Sequence, residues 1–546
     1  MTLKELVNSI SKKEWRWVIL LSIVMILITG LPYAYAYLNA QSGYFYNGLH
    51  SLTPSDFFVY FSYINQIKAG HWQLRDYFTS EAQPHGLINF FWLAVGLVAR
   101  LFYLPADFAF HLSRLLLIPL FFIVIYLFTS YFSAEKNQRK LILLFLTFSS
   151  GIGAYFINYF QKYPVSVDDL LYNWPIDLWV PESNIFLILS HTPHEIFSLI
   201  LLVSFFLFWL LALENNNFWY SFCAGLIGFF WFNFHPFFFP YVFILLGIYL
   251  IYFIFKTKKI NLIWHYILAA ALSLPFVIYH YYKIKTDLVI GGRASQNILS
   301  SPPFIFIFLG FGFLLIFSVF AVIYLLRKKI LFKNDKHVFL AIWLIAGLIL
   351  IYSPIFFQRR FIMSVQIPMV FLTVFLFSSL SFYHQKYKFL ANKFLLIILA
   401  FFLFGFSTFF CLVRDCYYFY INTPQFYLPI EYRQAINWLS DNNLNNGIIL
   451  SYEVTGQYIP AFINQQVFLG HGIETIFYKE KRDKVYLFFT DQYSDEQAKE
   501  FLKANNIKYI FFTEVERKYG RIKPETKDYL QKVFAQGEAE IYAVNK

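Results

Sequence analysis

The chain has 546 residues, of which 58% are hydrophobic and only 14% charged. A water-soluble chain of that length needs more charge to cover its surface, so a wholly soluble protein is excluded. The formal net charge of +12 does not imply nucleic acid, because the basic residues fall in short clusters between long apolar runs, as membrane topology requires.

The 71 Phe and 41 Tyr suit lipid-facing and interfacial positions and need no cofactor to explain them. Three cysteines, Cys223, Cys411 and Cys416, show neither a disulfide framework nor metal-ligand spacing. Lys4, Lys12, Lys13 and Arg16 precede the first apolar run, 17–37. That run is long enough to span a bilayer, and we read it as a retained helix; a cleaved signal has only a weak small-residue site after it. Further runs follow at 108–132, 141–160, 196–213, 218–234 and 237–255, then at 262–280, 304–326, 338–355, 362–382 and 394–412. By length and apolarity these make about eleven spans.

The loops give these spans a direction. Segments 135–140, 214–217, 256–261, 327–336 and 384–393 are short or rich in Lys and Arg, and the positive-inside rule puts them in the cytoplasm with the N-terminus. The alternate loops, 38–107, 161–195, 235–236, 281–303 and 356–361, then face outward, as does everything after the last span. Segment 86–104 is apolar enough to cross, but a crossing there would turn the basic clusters outward. It is therefore expected to lie along the outer leaflet, interrupted by Arg100; a true span paired with a split elsewhere is the alternative.

From residue 417 the pattern is that of a globular α/β domain. Helices are expected at 430–442, 456–464, 474–489 and 494–505, with strands at 447–452, 466–469 and 507–513. A segment at 527–534 precedes a final strand at 539–544. Such alternation implies a small parallel or mixed sheet carrying helices. The chain is thus expected to be an α-helical polytopic membrane protein, residues 1–416, with an external α/β domain, residues 417–546.

The first external loop holds Asp56 and Tyr60 in Pro54-Ser-Asp-Phe-Phe-Val-Tyr60, followed by Gly70, Asp76 and Glu81. A carboxylate flanked by aromatics at the membrane boundary can deprotonate an incoming hydroxyl; it can equally cap the helix that follows. External arginines are Arg293, Arg359 and Arg360, able to grip phosphate oxygens in bidentate fashion or to reach outer headgroups. Arg114, about two helical turns into its span, needs a partner, which a first-loop acid would supply. His191-Thr-Pro-His194-Glu195 lacks the His-Glu-x-x-His spacing of zinc hydrolases, so His194 is read as a pocket or helix-start residue. His235 reads as a turn residue facing outward, and His471 as an acceptor contact or a plain turn.

An acid just after the first span, Tyr60, Gly70, Asn184 to Glu195, Asn233-Phe-His-Pro236 and Phe356-Phe-Gln-Arg-Arg-Phe361 together resemble the GT-C superfamily of membrane glycosyltransferases. So do Glu431 to Leu439 and Gly470-His-Gly-Ile-Glu474. In layout the chain is similar to protein mannosyltransferases and lipid A aminoarabinose transferases. The resemblance implies a multi-pass plasma-membrane enzyme of the cell envelope that moves a sugar from a polyprenyl-phosphate carrier to a glycan, lipid or protein acceptor on the extracytoplasmic face. It implies Asp56 as base or as ligand of an assisting divalent metal ion, a second acid or metal ligand among Asp168, Asp169, Asp177 and Glu182, and Arg293, Arg359 and Arg360 on the donor phosphate. Such a displacement would invert the anomeric centre. The alternatives are a transporter or lipid exporter, which would carry ionisable groups at mid-membrane, and a non-catalytic envelope scaffold. Here the mid-span residues are mostly Phe, Leu and Ile, and no internal repeat is visible.

Overall fold

A computed structural model describes residues 1–167, 170–381, 393–442 and 447–545. The chain forms two compact units. One comprises Met1–Pro32, Arg114–Tyr279 and Leu299–Tyr417; the other comprises Tyr33–Ser113, His280–Ile298 and Tyr418–Lys546.

The first unit is built of apolar helices. Among the described residues nine segments of the chain are long and apolar enough to cross a membrane, from Lys12–Leu38 to Leu395–Tyr420, and the protein is an α-helical polytopic membrane protein. Two of the eleven expected spans are shorter helices, Phe218–Phe232 with 15 residues and Asp335–Leu350 with 16. At about 1.5 Å per residue they fall short of a full hydrocarbon core. The turn at Asn233–Pro236 and the irregular backbone after Ile351 end them early. Pro193–Asn215 is a deeply enclosed long helix. Its Phe205 packs against Trp231 and Phe243, and its Phe206 against Trp343.

The expected span at 141–160 is not one continuous helix. Lys136–Phe148 is helical, the backbone then leaves the helix, and Gly153–Phe156 and Ile157–Lys162 resume as short turns. Backbone amides cannot stay unpaired in hydrocarbon, and four amides at this break have partners from elsewhere in the chain. Ser150 donates to the Phe404 carbonyl, Ile152 to that of Leu309 at 2.8 Å, and Ala154 to the Ser407 hydroxyl. Gly153 donates to Asp177 Oδ2 at 3.1 Å. The opposing helix Phe304–Arg327 is itself distorted at Gly312, with φ +51. At Gly151 a Cβ would lie 2.2 Å from the Leu309 carbonyl oxygen, so only glycine fits there.

The second unit joins the first loop to the C-terminal domain. Strand Tyr44–Tyr46 pairs antiparallel with Tyr427–Pro429. Helix Pro54–Lys68 carries Tyr458–Phe462 on one side, with the Phe58 and Tyr458 rings 5.4 Å apart and Asn65 donating to the Ala461 carbonyl at 2.7 Å. The C-terminal sheet is mixed: Ile448–Leu450 lies parallel to Ile507–Phe512, which is followed in antiparallel order by Ala539–Val544 and Leu530–Gln536. Its core includes Leu450, Phe468, Phe489, Leu502, Ile510 and Tyr542. Residues 466–469 make only isolated bridges, at Val467 and Leu469. Residues 527–534 fall at the start of a hairpin strand. The helix expected from 474 begins only at Tyr478, because 470–476 form a loop.

Segment 86–104 is resolved as a helix of 12 residues, Phe90–Leu101, or about 18 Å, too short to cross. It turns Phe91, Trp92, Val95 and Ala99 inward and leaves Leu97, Val98, Leu101 and Phe102 exposed. Gly96 meets the Pro54–Lys68 helix so closely that a Cβ would sit 2.5 Å from Ile67 Cβ. Gly96→Val should therefore lower stability by about 1–3 kcal/mol through overpacking, read as earlier thermal unfolding of the purified protein. An unchanged melting temperature would show that these helices do not meet there.

Candidate functional site

Asp56 lies in the first turn of the Pro54–Lys68 helix, behind Pro54, whose missing amide costs nothing at a helix start. Thr53, not Asp56, holds the cap position, at φ +40 and with no side-chain capping bond. The Asp56 side chain is 37% exposed, and its Oδ1 lies 3.2 Å from His471 Nε2. His471 is buried, and its other nitrogen, Nδ1, accepts from the backbone amides of Ile473 at 3.2 Å and Glu474 at 3.3 Å. Burial opposes a charge on this imidazole, while the hydrogen bond to Asp56 and the charges of Asp56 and Glu474 outweigh it and raise its proton affinity. A second proton on Nδ1 would face two N–H donors, so we read His471 as the neutral tautomer donating through Nε2 to Asp56.

The loop that carries His471 is held from several sides. Gln296 donates to the carbonyls of Ile473 and Thr475. Thr475 donates to the Phe78 carbonyl, and the Ile476 amide donates to Thr79 Oγ1. Glu474 Oε2 meets Arg293 Nε at 2.7 Å, and Arg293 donates a further bond to the Tyr63 hydroxyl at 2.7 Å. Asp76 is buried beside this pair, and its Oδ1 accepts from the Phe78 amide at 2.9 Å. Burial, then the charge of Glu474, push the Asp76 carboxyl well above its ordinary range, against the pull of Arg293. Lys481 closes the far side, with Glu81 at 2.7 Å and Ser80 at 2.9 Å.

Of the residues singled out in the sequence, Asp56, Asp76, Glu81, Arg293 and His471 lie in this unit and are linked as described. Tyr60, one turn beyond Asp56, stacks on Trp92 with ring centroids 4.9 Å apart. The reading of the sequence overlooked Glu474 and Tyr63, although Glu474 ends the Gly470-His-Gly-Ile-Glu474 motif. A buried loop carboxylate demands a partner, and that was the available signal.

The remaining candidates lie in the apolar helical unit. Arg359 covers the Trp179 ring at 5.1 Å and Arg360 the Phe237 ring at 4.7 Å. The turn Pro181–Ser183, with buried Glu182, packs against Gln358–Ser364. His194, at the start of Pro193–Asn215, lies edge-on to His235 with ring centroids 5.3 Å apart. His235 Nδ1 accepts from Ser198 Oγ, which itself accepts from Trp231; burial, then the nearby His194 and Arg360, hold it neutral. Asp177 serves the helix break through Gly153, and burial pushes its carboxyl up to about 7 against the bonds from Ser407 and Gly153. Arg114 is held by Thr29 Oγ1 at 3.1 Å and the Leu189 carbonyl at 2.9 Å. Asp168 and Asp169 lie outside the described residues. Among the described residues no three His, Cys, Asp or Glu gather as a metal site would require.

No protein-family model matches the chain, and no curated protein does. Solved structures do resemble it. The oligosaccharyltransferase of Archaeoglobus fulgidus, tethered with an acceptor peptide containing the NVT sequon, superimposes with a TM-score of 0.51 at 15% identity, covering 91% of this chain and 69% of that one. The same organism's enzyme in complex with an inhibitory peptide and a dolichol-phosphate gives 0.54 at 14% identity, covering 92% and 70%. Its complex with Zn and sulfate gives 0.51 at 14%, covering 96% and 73%. At such identities the likeness is one of fold. The fold is the one seen in these oligosaccharyltransferase structures.

The raised Asp76 carboxyl has a consequence for stability. Its proton is held more tightly in the folded state, so its contribution is fully present below the ordinary carboxylate range and fades as pH rises through the raised value. Asp76→Asn mimics the protonated form and should flatten this dependence. Thermal unfolding from about pH 4 to pH 8 should show the wild type losing more stability than the variant; parallel curves would contradict a raised proton affinity at Asp76.

Proposed function

We propose that the protein is a membrane glycosyltransferase that transfers a sugar from a polyprenyl-phosphate-linked donor to an acceptor hydroxyl, with Asp56 as base. The carrying observation is the Asp56–His471 pair: a partly exposed carboxylate at a helix start, oriented by a buried imidazole whose second nitrogen is already occupied. The shared fold supports the transferase class. The dolichol-phosphate bound to the Archaeoglobus enzyme supports a lipid-phosphate donor here. The distribution of basic loops supports an extracytoplasmic site and a cytoplasmic N-terminus.

In this reaction the acceptor oxygen attacks the anomeric carbon while its proton passes to the Asp56 carboxylate. The bond from that carbon to the phosphate oxygen breaks, and the electron pair leaves with the phosphate. A single displacement inverts the anomeric centre. His471 acts as a positioning residue, holding the Asp56 carboxylate through one hydrogen bond. Arg293 is engaged by Glu474 and Tyr63 and sets the His471 loop. By the chemistry of the guanidinium, Arg359 and Arg360 are proposed as phosphate ligands of the apolar unit.

The test is transfer from a panel of labelled polyprenyl-phosphate hexoses by the purified protein in lipid vesicles. Asp56→Asn should lose about 10²–10⁴-fold in rate while melting at an unchanged temperature. His471→Gln, which keeps a donor, should retain more activity than His471→Ala, and the alanine variant should show a displaced pH profile. Full transfer by Asp56→Asn would remove Asp56 from the chemistry.

A further inference from the structure

A groove of about 660 Å³ opens in the unit that carries Asp56, a volume typical of ligand sites. Its walls come from the Tyr44–Tyr46 and Tyr427–Pro429 ribbon, from Ser55 and Phe58 on the Asp56 helix, and from Tyr458 opposite them. The polar lining is of one kind. Gln41, Asn422, Gln425 and Gln457 contribute amides and Glu514 one carboxylate, and no Lys or Arg lines it among the described residues. Asn422 stands at φ +48, and its amide nitrogen donates to the Tyr420 carbonyl at 3.3 Å.

We propose that this groove binds a neutral oligosaccharide. A sugar ring presents an apolar C–H face and a hydroxyl edge, and each hydroxyl both donates and accepts. Tyr and Phe rings offer flat apolar faces with little conformational entropy to lose, and amides donate and accept side by side. With Glu514 and no cation, the groove disfavours phosphate, uronate or any other polyanion. A peptide adding as a strand is disfavoured too, because the ribbon ends on Pro429, which has no N–H to offer. Ser55 and Phe58 flank Asp56 in sequence, so a glycan in the groove runs beside the helix that carries the proposed base; that this glycan is the acceptor rests on the transferase reading.

The experiment uses the full chain in lipid nanodiscs free of glycoside detergent and needs no donor. Mannohexaose, maltohexaose and cellohexaose are titrated by calorimetry and saturation-transfer NMR, beside a hexagalacturonate and a Tyr-rich decapeptide. At least one neutral hexasaccharide should bind, and Tyr44→Ala and Gln425→Ala, both exposed at the rim, should each weaken it about tenfold. Asp56→Asn should bind as the wild type does, even if transfer is lost. Binding of none of the neutral sugars, equal binding by wild type and both rim variants, or tighter binding of the hexagalacturonate or the peptide would overturn the proposal. Transfer that survives in Asp56→Asn while the rim variants lose glycan would instead strike the assignment of the base and leave the groove standing.

Discussion

A carboxylate taken out of water must find a counter-charge, and Glu474 finds it in Arg293. Leaving either partner alone would cost several kcal/mol, so the pair constrains everything attached to it. The loop 470–476 is drawn toward the Leu288–Gln296 helix, and that placement sets the Ile473 and Glu474 amides on His471 Nδ1. The imidazole is thereby turned with Nε2 toward Asp56. Tyr63 and the buried Asp76 complete the surroundings from the first loop. One ion pair thus determines the orientation of a carboxylate it does not touch.

The apolar unit is governed by a different constraint. Where its backbone leaves helical geometry, the amides have no water to turn to. Ser150, Ile152, Gly153 and Ala154 are answered by two carbonyls, a carboxylate and a hydroxyl from three other parts of the chain. Asp177, an acid that a sequence reading marks as a metal or catalytic candidate, is engaged in that repair. Its burial and raised proton affinity follow from the packing and call for no catalytic role.

Likeness to an archaeal oligosaccharyltransferase at about one residue in seven fits this division. Apolar helices keep their arrangement through volume and length, which many sequences supply. The polar contacts that would distinguish substrates lie in loops and are free to differ.

Much of the architecture was legible from the amino acids alone. The apolar runs and the α/β alternation after residue 417 are local properties, because span length depends on consecutive side chains and strand or helix period on near neighbours. A helix within 86–104 was legible from its apolar run, although it continues through Arg100 rather than being interrupted there. The helix break at 149–152 was not, since an apolar run reads alike whether its backbone is continuous or broken. Nor was the pairing of Asp56 with His471, 415 positions away, or the role of Glu474. Sequence by itself determined a membrane protein with an α/β domain and a set of candidate acids, arginines and histidines. Only the tertiary structure decided which of them meet, because contacts between residues hundreds of positions apart are set by packing and by the need of each buried charge for a partner.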